Sequence, residues 1–162
     1  FGVDFVVTRS GSGPWQAQAL EINLRMTGTT PPFMALEFLG GGRLDPESGL
    51  YLAADGRPKY YYATDNLKSP AYRGLLPDDL LDLMTEYGMQ FRHQGLTGVL
   101  FFMIGALSQY GKLGVTAIAN SLDEAEALYE STQDILDRTV GATQDTFGKP
   151  RSLFEADAPR ML

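Results

Sequence analysis

The sequence contains no cysteine. That excludes disulfides and thiolate metal sites, and it suits a reducing cytoplasm, the location expected for this protein. There is a single histidine, His93. One imidazole with no thiol cannot build a zinc centre, and no Ser-His-Asp order surrounds it, so His93 reads as an ordinary loop residue. Cationic residues are in deficit: 13 Lys and Arg against 20 Asp and Glu give a net charge of −7. No basic stripe appears, so nucleic acid is not expected as a partner. Long apolar runs are lacking too. The longest, LTGVLFFMIGAL at residues 96–107, falls short of the roughly 20 residues that cross a bilayer. No signal peptide is visible, and no membrane association is expected.

What is present is a globular composition. Hydrophobic residues make up 44% of 162, enough for one domain with its own core. The expected class is α+β, a mainly antiparallel sheet with packed helices. FGVDFVV (residues 1–7) reads as a buried strand and AQALEINL (17–24) as its hairpin partner. A loop over 25–32 ends in Pro31-Pro32, and a short helix follows from Phe33 to Leu39, stopped by Gly40-Gly41-Gly42. RLDPESG reads as a turn. GLYLAADGRPKYYYATD reads as a second hairpin around Ala54-Asp55-Gly56. A helix starts at Pro77, with Leu80, Leu81, Met84 and Tyr87 on one face. GVLFFMIGAL and KLGVTAIA (112–119) read as strands. Ser121 and Glu124 form a capping box for a last helix that buries Ala125, Leu128, Tyr129, Thr132, Ile135 and Leu136. Residues 1–140 are taken as the folded portion and 141–162 as a loose tail. The chain opens with Phe1, already inside an apolar run where a natural start would carry Met. The expectation is therefore a truncated or processed piece whose first strand has partners upstream.

LEINLRMTGTT, residues 20–30, puts Glu21, Asn23 and Arg25 in one alternating row if the strand holds that far. Folding the hairpin with residue 7 near residue 18 sets Asp4 opposite Glu21. Two carboxylates ~4 Å apart repel by about 4 kcal/mol at an effective dielectric of 20. A proton or a cation would offset this, and hard oxygen donors with few neighbours suit Mg²⁺. Arg25 would then meet a phosphate or carboxylate. Gly28 allows close approach of the backbone, and the hydroxyls around it offer donors and acceptors. The plainer alternatives are a row of polar residues facing water, or an ion pair of Asp4 with Arg9 or Arg25.

Asp4 in VDFVV, followed by Glu21-x-Asn23 in LEINLR, resembles the metal-binding end of ATP-grasp enzymes. More narrowly, ALEINLRMTGTT…PF, YYYATDNL, YRGLLPDDLLD and TGVLFFMIGALSQYGKLGVTAIANSLDEAEALY together resemble the C-terminal part of the pheganomycin-type peptide ligases, from Phe1 to about Leu136. The resemblance implies an ATP-grasp C-terminal lobe and an ATP-dependent carboxylate–amine ligase acting through an acylphosphate. Its substrates would be small-molecule or peptide carboxylates and amines, and ATP and Mg²⁺ would be required. Carried over, Asp4, Glu21 and Asn23 become magnesium ligands, Arg25 the catalytic stabiliser of charge on the transferring phosphate, and Thr29 and Thr30 substrate-loop residues. Relatives carry a His after the paired Thr, where this chain has Pro31. The nucleotide lysines and adenine pocket of such enzymes come from an upstream region, so the fragment is expected to be inactive alone. Two other readings stay open: a non-catalytic module of the same fold that binds a nucleotide or partner, and a magnesium-dependent phosphotransferase.

Remaining motifs read as structural. Ser10-Gly11-Ser12-Gly13 is a hairpin loop. Gly111-Lys112-Leu113-Gly114 lacks the spacing and the Ser/Thr of a P-loop. Asp65-Asn66 ends a strand in a local turn, with its place in the family-like string making it a secondary candidate for lining the site, and Tyr60, Tyr61 and Tyr62 are strand packing.

Overall fold

The computed structural model describes residues 1–147. Strand β1 (Gly2–Thr8) and strand β2 (Gln16–Asn23) form a two-stranded antiparallel ribbon. Helix α1 (Thr30–Gly40) leads into the short strands β3 (Arg43–Leu44) and β4 (Tyr51–Leu52), then the long strand β5 (Pro58–Lys68). Helix α2 (Pro77–Glu86) precedes β6 (Gly98–Phe102), α3 (Leu107–Tyr110) and β7 (Lys112–Ala119), and α4 (Leu122–Phe147) closes the described chain. The larger sheet has five strands in the order β3-β4-β5-β7-β6, and every neighbouring pair in it is antiparallel. This is the α+β architecture expected from the sequence, a mainly antiparallel sheet with packed helices.

Strand β7 is the centre, buried from Leu113 through Ala119. Side chains alternate across a strand, so β7 feeds two cores. Leu113 and Val115 join Leu80 and Met84 of α2 and Ile135 and Leu136 of α4. Ile118 joins Leu36 of α1 and Tyr51 of β4. Each such side chain contributes about 1.5–3 kcal/mol on burial. The capping box is present in a shifted form. Ser121 Oγ accepts the Glu124 N–H at 3.1 Å, while the Glu124 carboxylate accepts from Asn120 N–H at 3.1 Å.

Several boundaries differ from expectation. Helix α1 starts at Thr30, three positions before Phe33, because the first helical turn has no internal acceptor for its N–H groups and tolerates Pro31 and Pro32. RLDPESG contributes β3 before its turn. GVLFFMIGAL is a strand only as far as Phe102. Met103 adopts a left-handed conformation (φ 55°), and the chain turns into a 3₁₀ segment, Ile104–Ala106, and then α3. Pro70–Gly74 is a further 3₁₀ segment that the sequence reading did not mark. Helix α4 continues through Gly141 to Phe147, so the first residues expected in a loose tail are helical. The rest of that tail lies outside the described residues.

Tyr72, at the start of this core, is 1% exposed, and its hydroxyl donates to Asp137 of α4 at 2.5 Å. Burial, then the hydrogen bond and charge of Asp137, push the phenol well above its ordinary value. The folded state thus keeps a proton that the unfolded chain releases near pH ~10. This stabilisation is complete below that pH and is lost progressively as pH rises above it. Tyr72→Phe is expected to lower stability by about 1 kcal/mol at neutral pH and to flatten the alkaline loss. Urea unfolding at neutral and alkaline pH checks both, and an unchanged alkaline slope would contradict the assignment.

Candidate metal and substrate site

The β1–β2 register pairs Gly2 with Asn23, Val3 with Ile22 and Asp4 with Glu21. It then slips: Phe5 faces Ala19, Val6 faces Gln18 and Val7 faces Ala17 rather than residue 18. Leu20 is the extra residue of a β-bulge. The Asp4–Glu21 pairing is therefore the one expected, and only the far end of the ribbon is displaced. Strand alternation puts Asp4, Glu21 and Asn23 on one face, and the Asn23 amide donates from Nδ2 to Asp4 Oδ2 at 3.2 Å.

The simple ion-pair alternative is not what the structure contains. Arg9 donates from Nε to Gly13 O at 2.8 Å and from Nη2 to Ser12 O at 3.3 Å, and it lies 5.4 Å from the centre of the Trp15 ring. It closes the hairpin loop. Arg25 falls beyond the end of β2, so it does not continue the Glu21–Asn23 row. Its Nη1 donates to Met26 O at 3.2 Å. Among the described residues, no lysine or arginine forms an ion pair with Asp4 or Glu21.

Residues 27–30 make a compact hydroxyl-linked turn. The Thr27 N–H donates to Thr30 Oγ1 at 2.9 Å, and the Thr27 hydroxyl lies 2.9 Å from Thr29 Oγ1 and 3.2 Å from Thr30 Oγ1. Thr29 precedes the first turn of α1, and Thr30 opens it. Pro31 occupies the second helical position, where its fixed φ fits. Beside this turn lies a cavity of about 450 Å³ lined by Asp4, Thr27, Gly28, Thr29, Tyr61 and Asp65, among others. Of the residues singled out in the sequence, the structure brings Asp4 and Thr29 to this cavity, while Glu21 and Asn23 remain on the adjoining ribbon face. Thr30 turns its hydroxyl into the loop.

Among the other lining residues are Tyr61 and Asp65, neither of them among the site residues assigned above. Tyr61, read as packing, does pack against the Leu36 cluster, and it also lines the cavity. Asp65, read as a strand end, lies within β5, which runs on to Lys68. His93 is a loop residue as expected, edge-on to Phe91 with ring centres 5.5 Å apart.

As a donor set, two carboxylates and an amide that has an oxygen of its own fit a hard divalent cation. No three carboxylate or imidazole groups converge among the described residues; the set in question has two, and its third member is an amide. The opposite face of the ribbon is apolar and bare: Phe5, Val7 and Ile22 are 58%, 53% and 65% exposed.

Thr30→Val removes the acceptor of the Thr27 N–H. Hydrogen exchange at the Thr27 amide is expected to accelerate about tenfold, the kinetic equivalent of losing one such bond. An unchanged rate would mean that the hydroxyl does not hold the turn.

No helix among the described residues is long and apolar enough to cross a membrane. No solved structure matches the chain. Residues 79–132 match the family described as PGM1 C-terminal domain. L-propargylglycine--L-glutamate ligase from Streptantibioticus cattleyicolor is 34% identical over 136 residues, which is 84% of this chain. The chain spans about a quarter of that relative's length, 27%. Both matches support the resemblance of this chain to the C-terminal part of the pheganomycin-type ligases.

Proposed function

We propose that the full protein is an ATP-dependent carboxylate–amine ligase working through an acylphosphate, and that this chain supplies its magnesium-binding and substrate-loop part. The observation that supports this best is the pairing of Asp4 with Glu21 across the ribbon, with Asn23 beside them and, among the described residues, no ion pair from Arg9 or Arg25 to either carboxylate. Two paired carboxylates without a cationic partner offer oxygen donors to a cation from outside.

Asp4, Glu21 and Asn23 would hold Mg²⁺ through oxygen atoms. When bound, the ion would neutralise charge on the nucleotide phosphates. A substrate carboxylate oxygen attacks the γ-phosphorus of ATP, the bond from that phosphorus to the bridging oxygen breaks, and ADP leaves. The amine nitrogen then attacks the acyl carbon. The carbon–oxygen bond to phosphate breaks, and the proton on nitrogen leaves with the phosphate. Arg25, which makes a single backbone hydrogen bond, keeps guanidinium donors for the transferring phosphate or the acylphosphate. Thr29 and Thr30 shape the substrate loop: the first lines the cavity, and the second fixes the turn. The relative's name joins L-propargylglycine to L-glutamate, and amino acid or small peptide substrates are proposed here. Use of ATP puts the reaction in the cytoplasm.

The adenine pocket and nucleotide lysines are assigned to the part of the full protein upstream of this chain. The same region would cover the apolar ribbon face that Phe5, Val7 and Ile22 expose. The isolated chain is therefore expected to bind magnesium-nucleotide weakly and to show no turnover; full activity from it would contradict this division of labour.

In the full-length protein, Glu21→Gln is expected to abolish amine-dependent ADP release while leaving the thermal transition nearly unchanged. ADP release by a coupled assay, with and without amine, separates ligase from phosphotransferase. Wild-type turnover in the variant would remove the metal role from Glu21.

A further inference from the structure

We infer that Asp65 is the residue that receives the amine substrate, holding its cationic nitrogen at the wall of the cavity beside Gly28; this rests on the ligase reading above. The first support is a break in the β5–β7 ladder. Thr64 pairs with Val115 and Leu67 with Leu113, so Asp65 and Asn66 together face Gly114. This is a β-bulge, an irregularity that re-aims side chains and concentrates next to active sites. It has a definite result here. Leu67 is buried in the α4-side core with Val115 and Leu113, whereas plain alternation from Thr64 would have put Asn66 there. The extra residue lets Leu67 enter the core and leaves Asp65 on the cavity side, in line with Tyr61 and Ala63.

The second support is the approach of the substrate loop. A Cβ built on Gly28 would lie 2.7 Å from Asp65 Oδ2, closer than real contacts allow. A residue with a side chain at position 28 would thus press on the carboxylate, and glycine leaves it room. Third, Asp65 makes no ion pair among the described residues. It shares the cavity wall with Asp4 of the proposed metal face and Thr29 of the substrate loop. The cavity volume of about 450 Å³ falls in the ordinary range of small-molecule sites, roughly 300–1,000 Å³.

A carboxylate there disfavours a second anion and favours an ammonium group. The arriving ammonium releases one proton to water. The resulting amine keeps an N–H donated to Asp65 while its lone pair faces the acyl carbon. As the new carbon–nitrogen bond forms, the carbon–oxygen bond to phosphate breaks, and a second proton from nitrogen leaves with the phosphate. Asp65 neither forms nor breaks a bond; it orients the nucleophile.

The test uses the full-length protein with ATP and Mg²⁺. Each proteinogenic amino acid and L-propargylglycine is supplied as acid and as amine, and hydroxylamine serves as a small, largely uncharged alternative nucleophile that traps the acylphosphate. Asp65→Asn is expected to raise the amine KM by about tenfold or more, the scale of losing a charge-assisted hydrogen bond. The preference for the cationic amine over hydroxylamine should fall by the same factor. Gly28→Ala, which displaces the Asp65 carboxylate, should shift that preference in the same direction. Amide formation with an unchanged amine KM in Asp65→Asn would overturn the inference and leave the ligase reading standing. An equal loss with amine and hydroxylamine would also overturn it, moving Asp65 to the phosphate or metal side of the site. Wild-type protein that forms neither amide nor hydroxamate would instead overturn the ligase reading itself, and this inference with it.

Discussion

Asp4 and Glu21 are held opposite one another by the hydrogen-bonded ladder of a two-stranded ribbon. Strand pairing keeps the two positions facing each other, so the nearness of two acidic residues is built into the backbone register. Ordinary proteins relieve such a pair with a lysine or arginine. Here, among the described residues, neither Arg9, which closes the hairpin loop, nor Arg25, which donates to Met26 O, forms an ion pair with them. The relief offered inside the ribbon is the Asn23 amide on Asp4, which leaves the amide oxygen and the other carboxylate oxygens available. In the proposed reading a dication occupies this face and links the fold to phosphate chemistry.

The ribbon is two-sided in its demands. One face carries the oxygen donors; the other carries Phe5, Val7 and Ile22, all more than half exposed. A pair of strands alone is marginal in water, and apolar side chains on a bare face add a reason for it to be covered. The main sheet stands on its own terms, with β7 buried between two cores. The molecule thus divides into a self-sufficient body and a ribbon that leans on it through the Thr27–Thr30 turn and the cavity beside Tyr61 and Asp65.

Where hydrophobic period and cap chemistry were strong, the sequence was sufficient: α2, β7, the start of α4 and the pairing of Asp4 with Glu21 were all legible. Two of the misses share one cause, a phase slip of a single residue. Ala17 and Ala19 are apolar at odd positions and Ile22 at an even one, so the pattern carries the mark of the Leu20 bulge, yet a uniform hairpin register absorbs it unnoticed. In the same way, Asp65-Asn66 reads as the end of a strand because two polar residues interrupt the alternation, whereas Leu67 resumes it one step out of phase. The double proline read as a barrier before α1, although the first turn of a helix has no need of those N–H groups. Cavity residues such as Tyr61 could not be found locally, since only the packing of the ribbon turn against β5 makes them a wall.

The most direct measurement of the central assignment is paramagnetic broadening by Mn²⁺ in the full-length, isotope-labelled protein, with ATP present. Signals of Asp4, Glu21 and Asn23 are expected to broaden first and together, with those of Thr29 and Asp65 following at higher occupancy. Broadening that spares these three residues while reaching another part of the molecule would contradict the ribbon as the metal-bearing face.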